Sequence, residues 1–123
     1  METTSKTLGA IGEELAYQFL CSLGYKVLLR NYESPLGEID MIAKEKGALV
    51  FVEVKTRASE SMGTPFEAVT FHKRRQIQKN AEYYIKRYGI VDAPCRFDVV
   101  SVLMRGMHDP AIEVIKNAFM AGE

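Results

Sequence analysis

The 123-residue sequence predicts an α/β protein in which a mixed β-sheet is flanked by helices. Three observations predict this class: two stretches repeat apolar residues at helical spacing, five stretches are typical of strands, and their order is α-β-β-β-α-β-β. The length corresponds to a single domain covering residues 1–123. A composition of 47% hydrophobic and 26% charged residues is typical of a globular protein and excludes a disordered or fibrous chain.

The first helix is predicted from about Thr4 to Leu23, because apolar residues recur there at helical spacing and Gly24 supplies an end. The first strand is predicted from Tyr25 to Tyr32. The segment Asn31–Gly37 contains a Ser-Pro pair and is predicted to be a loop.

A β-hairpin is predicted next. Its strands are Gly37–Ala43 and Ala48–Thr56, and the segment Lys44–Gly47 between them has the composition of a hairpin turn. The second strand is so rich in valine and phenylalanine that we expect it in the centre of the sheet, with both faces covered.

The second helix is predicted to begin at Thr64–Glu67, which combines a capping threonine, a proline suited to the first turn and a glutamate that completes a capping box. From there a helix, continuous or broken near Thr70, is predicted to run to Tyr88 and to stop at Gly89. The last predicted segments are a strand over Phe97–Leu103, a turn over Arg105–Pro110 and a short strand over Ala111–Ile115.

The charges of the sequence sum to zero, with 16 Lys and Arg against 16 Asp and Glu. This balance argues against a polybasic protein that binds nucleic acid or an anionic membrane indiscriminately. The sequence contains no run of about 18 apolar residues, so we predict no transmembrane helix. The N-terminus also lacks the pattern of a signal peptide, so we expect a cytoplasmic protein without a membrane partner. Two isolated cysteines argue against a structural zinc site.

Charged residues in the predicted hairpin carry the strongest functional information. Period-two geometry puts Glu53 and Lys55 on the same face of their strand. If Lys46 and Gly47 form a two-residue turn, Asp40 lies directly opposite Glu53, with Cβ atoms about 5 Å apart. Two carboxylates and a lysine then converge on one patch.

Two adjacent carboxylates repel each other unless a cation neutralises them. Oxygen ligands without His or Cys suit a hard cation, here Mg²⁺ or Mn²⁺. Such an ion polarises a phosphate and lowers the pKa of a bound water, which is the chemistry of phosphodiester hydrolysis. Lys55 could orient that water or stabilise charge that develops on the phosphate. On spacing alone, Asp40, Glu53 and Lys55 are equally consistent with a buried ion-pair network.

Three motifs of the sequence resemble those of the bacterial YraN family: Gly37-Glu38-Ile39-Asp40, Phe51-Val52-Glu53-Val54-Lys55-Thr56-Arg57 and Arg96-Phe97-Asp98-Val99-Val100. That family is similar to archaeal Holliday junction resolvases and belongs to the PD-(D/E)XK restriction-endonuclease-like superfamily. The resemblance extends from about Gly9 to Phe119 and implies a restriction-endonuclease-like core over about 9–119.

The resemblance also implies roles for individual residues. Asp40, Glu53 and the backbone carbonyl of Val54 are the implied metal ligands, and Lys55 is implied to assist catalysis. Ile39 stands where the name of the superfamily has proline.

The first helix offers a fourth candidate catalytic residue. Placing residues at 100° steps puts Glu13 beside the apolar stripe and Glu14 toward solvent. The helix glutamate of the resolvase-like pattern also falls on Glu13. The resemblance implies that Glu13 is a ligand in the outer coordination sphere or a second metal ligand. The alternative is a glutamate at the helix boundary, in contact with solvent.

The second helix is strongly basic, with six Lys and Arg against the single acidic Glu82 between Phe71 and Tyr88. A basic helix that follows the catalytic strand can contact phosphates and add salt-dependent affinity. A solvated basic face is the alternative. The predicted nucleic-acid-binding residues are Lys73, Arg74, Arg75 and Lys79 of this helix, together with Arg57.

The leading hypothesis is therefore a Mg²⁺-dependent endonuclease-like domain that acts on structured or branched DNA. The alternatives are a nucleic-acid-binding module with the same fold but without turnover, and a protein-interaction scaffold. The resemblance also suggests a homodimer, because cutting two strands needs two sites. Asp98 beside Arg96 is interpreted as a structural ion pair, and only the resemblance gives it functional interest.

Overall fold

The computed structural model describes residues 5–59, 69–105 and 109–119, which form two helices and five strands. Helix α1 spans Ser5–Ser22 and helix α2 spans Phe71–Arg87. The strands are β1 (Lys26–Ser34), β2 (Gly37–Glu45), β3 (Ala48–Arg57), β4 (Cys95–Met104) and β5 (Pro110–Phe119). The predicted order of elements and the mixed α/β class are confirmed for the described residues.

The strands form one sheet in the order β1-β2-β3-β4-β5. Strands β3 and β4 are parallel, and the other neighbours are antiparallel. A parallel pair needs a long crossover connection, and α2 lies within that connection. Strand β3 occupies the central position predicted for it, and every residue from Val50 to Val54 is buried.

The two helices pack on opposite faces of the sheet. Phe51 of β3 joins a core cluster with Ile77 of α2, whereas Val50 and Val52 join a second cluster with Leu20 of α1. Alternate residues of a strand point to opposite faces, so β3 needs apolar side chains on both sides. Neither of these two helices is long and apolar enough to cross a membrane.

Strands β2 and β3 form the predicted hairpin. Lys46 and Gly47 both have positive φ angles, 50° and 82°, as a two-residue type I′ turn requires. Glu45 pairs with Ala48 directly beside this turn. The register predicted from a two-residue turn is therefore confirmed.

All five strands are longer than predicted, and β2 includes Lys44 and Glu45 of the predicted turn. The predicted loop over residues 31–37 is wrong in its first part, because β1 continues to Ser34 and pairs with β2 along that length. Strand β5 continues past the predicted end at Ile115 to Phe119, which pairs with Phe97 of β4. In both cases pairing with a neighbouring strand overrides local turn-forming residues.

Helix α2 begins with Thr70 as its N-cap. The side-chain oxygen of Thr70 accepts a hydrogen bond of 3.2 Å from the backbone N–H of Lys73. A helix boundary near Thr70 is thus confirmed, whereas the predicted capping segment Thr64–Glu67 lies outside the described residues. The helix ends at Arg87 and is followed by Gly89 with a φ of 61°, close to the predicted end.

Candidate functional site

The end of the β2–β3 ladder positions two of the predicted carboxylates. The last pair of the ladder is Met41 with Val52, so Asp40 and Glu53 are the next residues of the two strands. Beyond this pair, the side chain of Asp40 links β2 to β3, because its Oδ2 accepts a hydrogen bond of 2.8 Å from the backbone N–H of Val54. Asp40 is consequently held half-buried between the two strands.

Glu53 is a buried carboxylate with an incomplete set of partners. Its exposed fraction is 6%, and its Oε2 is buried without a hydrogen-bond partner among the described residues. Burial and then the charge of Asp40 raise the pKa of Glu53 to about 7. A buried carboxylate with an unused oxygen is costly, and a bound cation is one way to satisfy it.

Lys55 lies on the same face of β3 as Glu53, as predicted. Its Nζ is 3.8 Å from Oε1 of Glu53, and its side chain is 30% exposed. The ammonium group therefore lies between the buried carboxylate and solvent, where it can contact an incoming anion.

Helix α1 supplies Glu13 through a close approach to the sheet. Gly12 is buried, and a Cβ atom at this position would overlap the side chain of Thr56 on β3. Burial, followed by the charge of Asp40 and a hydrogen bond with it, raises the pKa of Glu13 to about 7. The predicted difference in burial is confirmed, because Glu13 is half-buried and Glu14 is exposed.

Glu38 belongs to this site and was not predicted. One carboxylate oxygen each of Glu13, Glu38 and Asp40 lies within 4.8 Å of the others. Burial and then the charge of Asp40 raise the pKa of Glu38. The period-two spacing of Glu38 and Asp40 on β2 was the available indication. We refer to Glu13, Glu38, Asp40 and Glu53 as the acidic cluster.

The predicted nucleic-acid-binding residues have different surroundings. Lys73 is half-buried in the first turn of α2, and its charge opposes the raised pKa values of Glu38 and Glu53. The Nη1 group of Arg74 donates a hydrogen bond of 2.9 Å to the carbonyl of Val69, so this guanidinium is engaged within the protein.

The other three predicted contacts lie further along their elements. Arg75 and Lys79 are exposed and line a cleft on α2, while Arg57 is the half-buried last residue of β3. The basic residues of α2 therefore do not form one uniform face.

Asp98 lies in a different polar network. It is fully buried and accepts hydrogen bonds from Arg96 at 2.9 and 3.0 Å, from the hydroxyl of Tyr25 at 2.7 Å and from the backbone N–H of Asn117 at 2.9 Å. Arg96 also donates to Glu45 at 2.9 Å. The predicted Arg96–Asp98 ion pair is confirmed.

The fold and the site together define a class of protein. The chain is a mixed α/β protein whose sheet carries clustered carboxylates and a lysine where a hairpin ladder ends. The sequence profile of the Uncharacterised protein family UPF0102 matches residues 12–102, which include Asp40, Glu53 and Lys55. The chain belongs to the UPF0102 family.

Relatives match along almost the whole chain. A UPF0102 protein of Moorella thermoacetica is 45% identical over 120 residues, covering 97% of this chain and 100% of the relative. A UPF0102 protein of Caldicellulosiruptor saccharolyticus is 47% identical over 115 residues, covering 93% and 98%. One from Desulfosudis oleivorans is 48% identical over 113 residues, covering 92% and 89%. The predicted membership of an uncharacterised family is confirmed.

Proposed function

We propose that the protein is a metal-dependent endonuclease that hydrolyses phosphodiester bonds in DNA, with Mg²⁺ or Mn²⁺ as its cofactor. One observation carries this proposal. Glu53 is buried with Oε2 unpartnered among the described residues, directly before Val54, whose backbone N–H holds the carboxylate of Asp40. Most buried polar atoms in structural networks have a hydrogen-bond partner, so this geometry favours a binding site.

The donor set fits a hard divalent cation. Asp40, Glu53 and the backbone carbonyl of Val54 would hold it entirely through oxygen atoms. The ion would supply the partner that Oε2 of Glu53 lacks and would offset the charge of Asp40 that raises the pKa of Glu53. When bound, such an ion polarises a phosphate and lowers the pKa of a coordinated water.

Two further residues act around this site. Lys55 can donate hydrogen bonds to the scissile phosphate and stabilise the negative charge that develops there. Glu13 contacts Asp40 and so helps to position it. Glu13 must lose its proton to act as a second metal ligand. Its pKa of about 7 allows this loss near neutral pH.

The same arrangement supports placing the chain in the PD-(D/E)XK superfamily, with Asp40, Glu53 and Lys55 as its characteristic residues and a restriction-endonuclease-like fold. Resemblance to archaeal Holliday junction resolvases extends the proposal to branched or structured DNA. A cytoplasmic homodimer belongs to the same proposal, because two strands are cut by two sites.

The test is cleavage of four-way junctions, flaps, duplexes and single-stranded DNA by the purified protein. We expect cleavage that depends on Mg²⁺ or Mn²⁺ and that falls by about 100-fold or more in Asp40→Ala and Lys55→Ala. Lys26→Ala, which removes an exposed lysine from β1, is the matched control and should keep full activity. Activity that survives Lys55→Ala would indicate a contaminating nuclease. Mn²⁺ binding that is unchanged in Asp40→Ala would contradict the proposed metal site.

A second candidate is a nucleic-acid-binding module without turnover. The charge of Lys73 beside Glu38 and Glu53 favours it, because this lysine partly neutralises the carboxylates without a metal. This function predicts DNA binding that resists EDTA and no cleavage of any substrate. A protein-interaction scaffold predicts instead weak DNA binding that is insensitive to salt.

A further inference from the structure

A second candidate site lies between helix α2 and the turn that joins β1 to β2. It is a cleft of about 250 Å³, which we call the α2 cleft. Its lining residues are Leu36, His72, Arg75, Gln76 and Lys79. Leu36 comes from the turn and the others come from the helix.

The polar side chains that line the α2 cleft bring hydrogen-bond donors and positive charge. Arg75 and Lys79 are four positions apart and therefore share one side of the helix, and both are exposed. None of the five lining residues is acidic, and Glu82, the single acidic residue of α2, is not among them. A concave group of such donors suits an oxyanion with several acceptor oxygens, as in a phosphodiester.

The walls of the α2 cleft are fixed by hydrogen bonds. Nε2 of Gln76 donates to the carbonyl of Leu36 at 3.3 Å, and Nδ2 of the buried Asn80 donates to the carbonyl of Gly37 at 2.9 Å. The hydroxyl of Ser34 donates to Oδ1 of Asn80. Gly37 has a φ of 129°, and a Cβ there would overlap the side chain of Gln76. The cleft is therefore preformed by direct packing of the helix on the turn.

The same turn leads directly into the acidic cluster. Leu36, which lines the α2 cleft, comes directly before β2, and Glu38 and Asp40 are the second and fourth residues of that strand. This wall of the cleft and two carboxylates of the cluster are therefore close in sequence. Lys73 and Arg75 are two positions apart and thus lie on different sides of α2. The charge of Lys73 acts on the acidic cluster, whereas Arg75 lines the cleft.

We propose that the α2 cleft binds a backbone phosphate of the nucleic acid, separate from the phosphate at the acidic cluster. The identity of this ligand rests on the proposed function. A strand held at two phosphates is positioned along α2 without any contact to its bases. The α2 cleft thereby sets where along a strand the acidic cluster acts.

The test compares two charge-matched double variants of the full chain. Arg75→Gln/Lys79→Gln alters the α2 cleft, and Lys86→Gln/Arg87→Gln removes two exposed charges from the last turn of the same helix. Fluorescence anisotropy in EDTA would give the Kd for a fluorescein-labelled four-way DNA junction over a range of KCl concentrations. The cleft variant should bind about tenfold more weakly, with a salt slope lower by about 1, and the control should change less than about twofold.

Three outcomes decide the proposal. Equal losses in the two double variants would indicate general electrostatic attraction and overturn it. In a second outcome, inorganic phosphate shifts the NMR signals of the cleft residues, but the cleft substitutions leave the Kd for the junction unchanged. This result would identify free phosphate as the ligand and would also overturn the proposal. Junction binding lost only in the cleft variant, and partly in each single substitution, would support it.

Failure of the proposed function is separate from failure of this inference. If the protein binds the junction through Arg75 and Lys79 but cleaves no DNA with Mg²⁺ or Mn²⁺, the α2 cleft proposal stands and the nuclease proposal fails. If cleavage depends on Asp40 and is unchanged in Arg75→Gln/Lys79→Gln, with unchanged junction binding, the nuclease proposal stands and the α2 cleft proposal fails.

Discussion

Two clusters of charged residues lie near opposite ends of strand β2, and each contains a buried carboxylate. The buried carboxylates of the two clusters differ in how completely they are paired. At the turn end, Asp98 is fully buried and receives four hydrogen bonds, and Glu45 contacts both Arg96 and Lys116. We call this group, with Tyr25, the structural network. At the other end, Glu53 of the acidic cluster is almost as buried but keeps one oxygen without a partner among the described residues.

The direction of the pKa shifts expresses the same contrast. Hydrogen bonding with Arg96, and then with Lys116, lowers the pKa of Glu45, whereas burial and the charge of Asp40 raise the pKa of Glu53. A network whose charges are paired contributes to stability, and a cluster of like charges needs a further partner. Of the two buried carboxylates, Glu53 with its raised pKa is therefore the stronger candidate for a functional group.

The largest expected effect comes from breaking the structural network. Arg96→Met leaves Asp98 and Glu45 buried without their main partner, so we expect a loss of about 3 to 5 kcal/mol in the free energy of unfolding. Urea denaturation measures this loss. Arg105→Ala, which removes an exposed pair with Asp109, is the control and should cost no more than about 0.5 kcal/mol. Similar losses in the two variants would show that the buried network has no special weight.

A smaller effect is expected from the contact that brings α1 to the acidic cluster. Gly12→Ala forces a methyl group against Thr56 and should cost about 1 to 3 kcal/mol through overpacking. Because the displacement moves Glu13, Mn²⁺ affinity measured by calorimetry should fall as well. Adding Thr56→Ala removes the two nearest overlapping atoms but keeps a Cβ atom 2.7 Å from the new methyl group, so it should restore only a small part of both quantities. Unchanged Mn²⁺ binding in Gly12→Ala would exclude Glu13 from the metal site.

Removing one charge from each cluster should change stability in opposite directions. At pH 8 in EDTA, Glu53→Gln removes an ionised buried carboxylate that lacks a full set of partners among the described residues, and should stabilise the protein by about 1 kcal/mol. Glu45→Gln removes a paired charge and should destabilise the protein. Urea midpoints of both variants give the comparison. Destabilisation by Glu53→Gln would mean that the acidic cluster is already satisfied without metal.

The last expected effect is a gradual dependence of stability on pH in the metal-free protein. Glu53 and Glu13 have folded-state pKa values raised from 4.5 to about 7, so their contribution is fully present below pH 4.5 and is lost as the pH rises through 7. Glu45, with a lowered pKa, contributes above pH 4.5 and loses its contribution as the pH falls.

Denaturation in EDTA across this pH range should therefore show stability that declines between pH 4.5 and 7. The Glu53→Gln variant should flatten the decline, while Glu45→Gln should leave it in place. Saturating Mn²⁺ should reverse the trend, because metal binding requires deprotonated carboxylates. A decline identical in wild type and Glu53→Gln would assign it to other groups.

Much of the candidate site follows from short stretches of sequence. The turn at Lys46 and Gly47 specifies the register of β2 and β3, and period two then places Glu53 and Lys55 on one face. Helical periodicity was likewise enough to separate Glu13 from Glu14. These features depend on one hairpin or one helix, so local rules describe them.

Other features could not be predicted in this way. The ends of β1 and β5 depend on partner strands, and Ser34 and Phe119 pair although the residues around them favour turns. The differing roles of Lys73 and Arg75 depend on how α2 is rotated against the sheet. The spacing of residues along the sequence alone does not predict how the helix is rotated.

The sequence by itself determined the order of the elements, the register of the central hairpin and the convergence of Asp40 with Glu53, since turn chemistry and strand periodicity act within neighbouring segments. Only the tertiary structure decided that Glu38 joins the acidic cluster. It also decided that, within the described part of the chain, Asp98 is fully paired whereas Glu53 keeps one oxygen without a partner. The physical reason is that the pairing of a buried charge depends on groups brought together from distant parts of the chain.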